Sequence, residues 1–199
     1  MKGFTKNLVL VLAIAVVLTG CKAPTQLVDT TKAAIDEVTK AGADKYAVAE
    51  LKGLNDRLTA ALDEVAAQDK KFFKKFGQAK EMLTGLGTDI EALKTALPAK
   101  IEAAKNEALK LQGEAKAAID EAKALLAKAP TGKGTKKDID ALKADLAGAE
   151  TAFAEIQTAI DGKDYIAAQD KAKSIMTKAA EVAAQVKAAI EKVTGKKIG

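Results

Sequence analysis

The sequence predicts an all-α fold, an elongated antiparallel helical bundle with coiled-coil-like heptad packing. Beyond the first thirty or so residues, apolar side chains recur at spacings of three and four, the period of a helix with one buried face. Composition agrees: the chain is 48% hydrophobic but only 4% aromatic, and much of that apolar share is Ala set among Lys, Glu, Asp and Leu, the profile of long helices. Strong breakers are few, with three Pro in 199 residues.

Residues 1–20 read as a targeting segment. Lys2 and Lys6 precede an unbroken apolar run from Leu8 to Leu18, which ends in Leu18-Thr19-Gly20-Cys21. A cationic start, a short apolar stretch and small residues form the three-part layout of a secretory signal peptide. Eleven apolar residues fall short of the roughly 20 that a transmembrane helix needs. An ordinary signal peptide that happens to precede a Cys, or a retained N-terminal anchor, would share this layout. The four terminal residues resemble the lipobox of bacterial lipoproteins. That resemblance implies cleavage before Cys21 and makes Cys21 the lipidation site, carrying a thioether-linked diacylglycerol and an amide-linked third acyl chain such as palmitate. Two or three chains give lasting attachment where one holds only marginally. Lys22 replaces the Asp that commonly retains such proteins at the inner membrane, so the resemblance points to the outer membrane of the cell envelope.

Residues 21–30 form the lipidated tether and 31–199 the bundle. Leu27, Thr31, Ile35 and Val38 mark a first helix that stops near Gly42. Leu51, Leu54, Leu58, Leu62 and Val65 mark a second, and Phe72, Phe76, Ala79 and Leu83 a third, separate from the second or continuous with it, that is the candidate for a wide core. Gly85-Leu86-Gly87-Thr88 predicts a turn, with Thr88 and Glu91 spaced as a capping box. A long helix over 88–128 follows, bent near Pro98. Ala129 to Thr135 is a loop, and Thr135 with Asp138 suits a helix start. Ile139, Leu142, Leu146, Ala149, Phe153, Ile156 and Ile160 form one stripe. Asp161-Gly162-Lys163-Asp164 breaks it. Tyr165, Ala168, Ala172, Ile175, Ala179, Val182, Val186, Ala189 and Val193 form the next, so these two helices should pair as an antiparallel hairpin. A shift of 93 residues superposes Lys70, Phe72 and Ala79-Lys80 on Lys163, Tyr165 and Ala172-Lys173, a weak internal repeat relating 31–87 to 138–195.

Two segments carry a further resemblance. Ala41-Gly42-Ala43-Asp44-Lys45-Tyr46-Ala47 and the later Gly162-Lys163-Asp164-Tyr165 are similar to elements of a family of small bacterial lipoproteins with a helical domain of unknown function. That family has Gly-Asp-Tyr in the later element; here Lys163 interrupts the Gly-Asp pair. The resemblance brings no activity with it.

Composition argues against catalysis. With no His there is no imidazole base or metal ligand, and a single Cys gives neither a disulfide nor a thiolate zinc site. Gly132-Lys133-Gly134-Thr135 lacks the first Gly of a P-loop and a preceding strand. The acid pairs Asp36-Glu37, Asp63-Glu64 and Asp120-Glu121 are helix neighbours that diverge by about 100 degrees, which suits solvated faces better than two carboxylates across a substrate. Ser174, the one Ser, and Lys178 lie beside an apolar stripe rather than in a strained turn. No catalytic, cofactor or metal site is expected. Removing residues 1–20 lowers the net charge from +5 to +3, too mild for nucleic acid. Lys128, Lys133, Lys136 and Lys137 make one loop basic, which reads as a solvated tip before a patch for anionic headgroups or cell-wall polymer. The expectation is a membrane-anchored, non-catalytic structural or interaction module that meets an envelope protein, peptidoglycan or copies of itself. The alternative is a carrier of lipid or another apolar ligand in the bundle interior, suggested by Phe72, Phe73, Phe76 and Met82.

Overall fold

The computed structural model describes residues 22–130 and 135–195. Among them the chain is helical almost throughout, with no strand. Among the described residues there are five long helices, with a π-helical turn and a one-turn helix between the first two. In order they are α1 (Thr25–Val38), the π-turn (Thr39–Ala43), the one-turn α2 (Asp44–Tyr46), α3 (Val48–Asp69), α4 (Gly77–Leu126), α5 (Lys136–Asp161) and α6 (Tyr165–Thr194). The expected all-α bundle is present.

Its spine is α4. Fifty residues at 1.5 Å each make a rod of about 75 Å. Along its first half α3 runs antiparallel, since Arg57 bridges to Asp89 and Glu50 to Lys100. There α1 runs parallel to α4, with Glu37 on Lys94 and Gly42 beside Ile101. Along the second half α5 runs antiparallel, pairing Glu150 with Lys123 and Gln157 with Gln112. Parallel to that half runs α6, where Gln169 Nε2 donates to the Ala104 carbonyl and Ala179 to Lys187 lie beside Ala118 and Glu121. The result is two three-helix bundles stacked end to end on one shared helix.

Each bundle has its own core. The first is built of Val28, Ile35 and Val38 from α1, Leu54 and Leu58 from α3, and Leu83, Leu86, Ile90, Leu93 and Leu97 from α4. The second joins Leu111 and Ile119 of α4 to Ile139, Leu142, Leu146 and Ile156 of α5 and Ile175, Val182 and Val186 of α6. Fully buried Ala108, Ala115 and Ala122 recur every seventh residue on α4, as Ala172 and Ala179 do on α6. Small residues at heptad spacing let nearly parallel helices approach closely. Tyr46 and Ile101 pack against both cores.

Several local expectations are corrected. No turn forms at Gly85-Leu86-Gly87-Thr88, because α4 continues through it. Leu83, Leu86 and Ile90 are fully buried on one face, and that burial outweighs the roughly 1 kcal/mol that each interior Gly costs. Thr88 is not a cap; its hydroxyl donates back to the Thr84 carbonyl. The break falls instead at residues 70–76, so the stripe reading of Phe72 fails: Phe72 and Phe73 are 94% and 78% exposed, and only Phe76 turns inward. Helix α1 begins at Thr25, which shortens the 21–30 tether. The Thr135 side chain does not cap α5; its hydroxyl donates to the Pro130 carbonyl. At the end of α6, Ile190 replaces Ala189 as the buried residue and Val193 is 56% exposed, because the larger side chain takes the interior as the helical phase drifts. The helix does run through Pro98, and α5 and α6 do form the expected antiparallel hairpin, tied by Lys171 and Glu155.

Candidate functional site

The two motif segments, far apart in the sequence, meet at the joint between the bundles. The first segment is shaped by Gly42, whose φ of 106° is open to Gly and costly for other residues. A Cβ there would stand 3.2 Å from the Tyr46 ring. This bend falls within the π-turn, sets α2 against α4, and directs Tyr46 toward the α5–α6 link. Ala43 and Ala47, on either side of α2, are buried.

The second segment closes α5 with a Schellman motif: the Lys163 N–H donates to the Ile160 carbonyl and the Asp164 N–H to the Ala159 carbonyl. The left-handed position is held by Lys163 at φ 58°, the one non-Gly residue with positive φ among those described. This exposes the Lys163 carbonyl to the first segment. The Tyr46 hydroxyl donates to it at 2.8 Å and accepts from the Tyr165 N–H at 3.3 Å. The Tyr46 and Tyr165 rings are 6.2 Å apart and tilted. Asp164 caps α6 by accepting from the Ala167 N–H, and accepts from Lys45 Nζ at 2.7 Å. The Lys45 ammonium and the Ala167 N–H hold the Asp164 carboxyl below the usual aspartate range, and Asp164 in turn raises Lys45. The chemistry here is mechanical: a hydrogen-bonded clasp that joins α2 to the α5–α6 link and the start of α6.

The remaining sequence candidates are dispersed. Ser174 and Lys178 lie exposed on α6. Asp36-Glu37 and Asp120-Glu121 are exposed, with Glu37 paired to Lys94 at 2.7 Å and Asp120 to Lys116 at 2.8 Å. Glu64 accepts from Gln68. Cys21, with the whole 1–21 segment, and Lys133 in the Gly132–Gly134 loop lie outside the described residues. Among the described residues no helix is long and apolar enough to cross a membrane, and no cluster of three acidic, His or Cys side chains is arranged to hold a metal ion.

Comparison with protein-family models, curated proteins and solved structures finds no match for this chain. Between α4 and α6 runs an open groove of about 270 Å³, lined by Ala118, Glu121, Ala179, Ala180, Ala183, Ala184 and Lys187. Small side chains and two flanking charges give it little to grip an apolar ligand with, compared with the large apolar linings of ligand pockets.

Both segments of the clasp are legible in the sequence, but their meeting in space is not. The usable signal was the scarcity of aromatics: the chain has two Tyr, and each follows an Asp/Lys pair at a helix break.

Proposed function

We propose that this protein is a lipid-anchored, non-catalytic spacer and interaction module of a bacterial cell envelope, tethered through Cys21 and projecting its polar helical faces away from the membrane. The observation that carries the reading is the unbroken α4, which supports both bundles over its whole length. A rod clasped at its joint sets a distance and presents a long polar surface. Outer-membrane attachment and a protein, peptidoglycan or second-copy partner belong to the same proposal.

Crosslinking in the native cell from the α5–α6 faces tests it. Capture of an envelope component at positions along these faces is the expected result. The carrier alternative is favoured instead by stoichiometric bound lipid, other than the anchor, in a mass-spectrometric extract of the purified protein. The buried Ala rows on α4 and α6 support the spacer, because close-packed small residues leave little interior volume.

A further inference from the structure

The link from α3 to α4 is a built loop that points two aromatic rings into solvent. The Gln68 side chain, itself buried, donates to Glu64 and accepts from the Lys75 N–H; the Lys71 N–H donates to the Gln68 carbonyl; Lys74 pairs with Asp69 at 3.0 Å. Phe76 closes the loop from below, fully buried at the start of α4. Held in this way, Phe72 and Phe73 stand edge to face at 5.0 Å, 94% and 78% exposed. Among the described residues the other exposed large apolar side chains, Val48, Leu109 and Val193, are scattered singly along the rod, as is ordinary on a protein surface.

Four lysines, Lys70, Lys71, Lys74 and Lys75, flank the two rings, and Asp69 is the single acid between residues 65 and 80. Aromatic rings ringed by ammonium groups match a bilayer interface, where rings enter the headgroup region while long Lys side chains reach anionic phosphates. The place of the loop in the fold supports this. Glu37 lies beside Lys94 and Gly42 beside Ile101, so the register sets Thr25 beside residues 82–84. Those residues lie about 8–10 Å along the axis from Gly77, where α4 begins. The chain leading back to Cys21 thus enters at the end of the rod that carries the loop, and the α4–α5 link lies at the opposite end.

We propose that the Phe72-Phe73 tip with its four lysines is a second membrane contact, which inserts into the interface of an anionic bilayer and, with the acyl anchor, sets the rod upright. The orientation rests on the anchor reading above; the chemistry of the tip does not.

The chain has no Trp, so Phe73→Trp makes a single reporter at an exposed position that leaves both cores untouched. The full chain, purified from membranes, is mixed with phosphatidylethanolamine vesicles containing phosphatidylglycerol and, separately, with phosphatidylcholine vesicles. Intact mass of the same preparation reports acylation, so a failure of the anchor is seen apart from a failure of the tip. With or without acyl chains, the expected result is blue-shifted emission quenched by brominated lipid in the anionic vesicles, and water-like emission from Val193→Trp. For an unacylated preparation, Phe72→Ser with Phe73→Ser should lower vesicle partition at least about tenfold, and Lys70→Gln, Lys71→Gln or Lys75→Gln about fivefold each. Water-like emission from the Phe73→Trp variant on anionic vesicles would overturn the proposal. So would self-association in lipid-free buffer that the double Ser variant abolishes, which would assign the patch to a second copy.

Discussion

Tyr46→Phe removes one oxygen atom and tests whether the clasp couples the bundles. In the parent that oxygen donates to the Lys163 carbonyl at 2.8 Å and accepts from the Tyr165 N–H at 3.3 Å. A net hydrogen bond contributes about 1 kcal/mol, and a long one less. The expected loss is therefore about 1 to 1.5 kcal/mol, with the ring still packed against both cores and tilted on Tyr165. For a chain of this length that corresponds to a fall in Tm of about 2–6 °C. Urea unfolding followed by circular dichroism should show a lower midpoint with an unchanged slope. Tyr46→Ala also removes the ring that touches both cores and should cost about 2–4 kcal/mol, with a shallower transition as the two bundles begin to melt separately. Tyr46→Phe unfolding within about 0.3 kcal/mol of the parent, a margin far smaller than one hydrogen bond, would refute the clasp as an energetic link.

Three further predictions concern local features. Gly87→Ala should stabilise the protein by about 0.5–1 kcal/mol, because a helical Gly with open space around its Cβ position gains from lower unfolded-state entropy; a lower denaturation midpoint would restore the turn that the sequence suggests there. Lys163→Gly should raise stability by up to about 1 kcal/mol in the same assay by relieving the left-handed strain of the Schellman position, and a loss would show that the Lys side chain contributes something other than its backbone. The depressed Asp164 carboxyl contributes stability that is present above the ordinary aspartate range and lost as pH falls through its lowered value. The parent should therefore lose more stability than Asp164→Asn on acidification, and equal slopes in the acid limb would contradict the pairing with Lys45.

Much of this architecture is legible in the sequence because α5 and α6 obey a single rule, one apolar stripe per helix, from Ile139 to Ile156 and from Tyr165 to Val186. The rule fails where local chemistry and tertiary burial compete. Gly85 and Gly87 carry the local signature of a helix end, yet Leu86 between them is fully buried, and packing on α1 and α3 decides the conformation. Phe72 fits a helical stripe by spacing alone; no periodicity rule distinguishes a ring that plugs a core from one that a loop holds outside it. The clasp was out of reach for a different reason. Its hydrogen bonds join residues 117 and 119 apart in the chain, and the decisive acceptor is a backbone carbonyl exposed by a left-handed Lys163, which has no signature in residue type.

The most direct test of a lipid-anchored rod is the intact mass of the protein isolated from the membranes of its own cells. The expected result is a chain that begins at Cys21 and carries the added mass of two or three acyl chains. A chain that still begins at Met1, or one whose Cys21 is a free thiol, would contradict it.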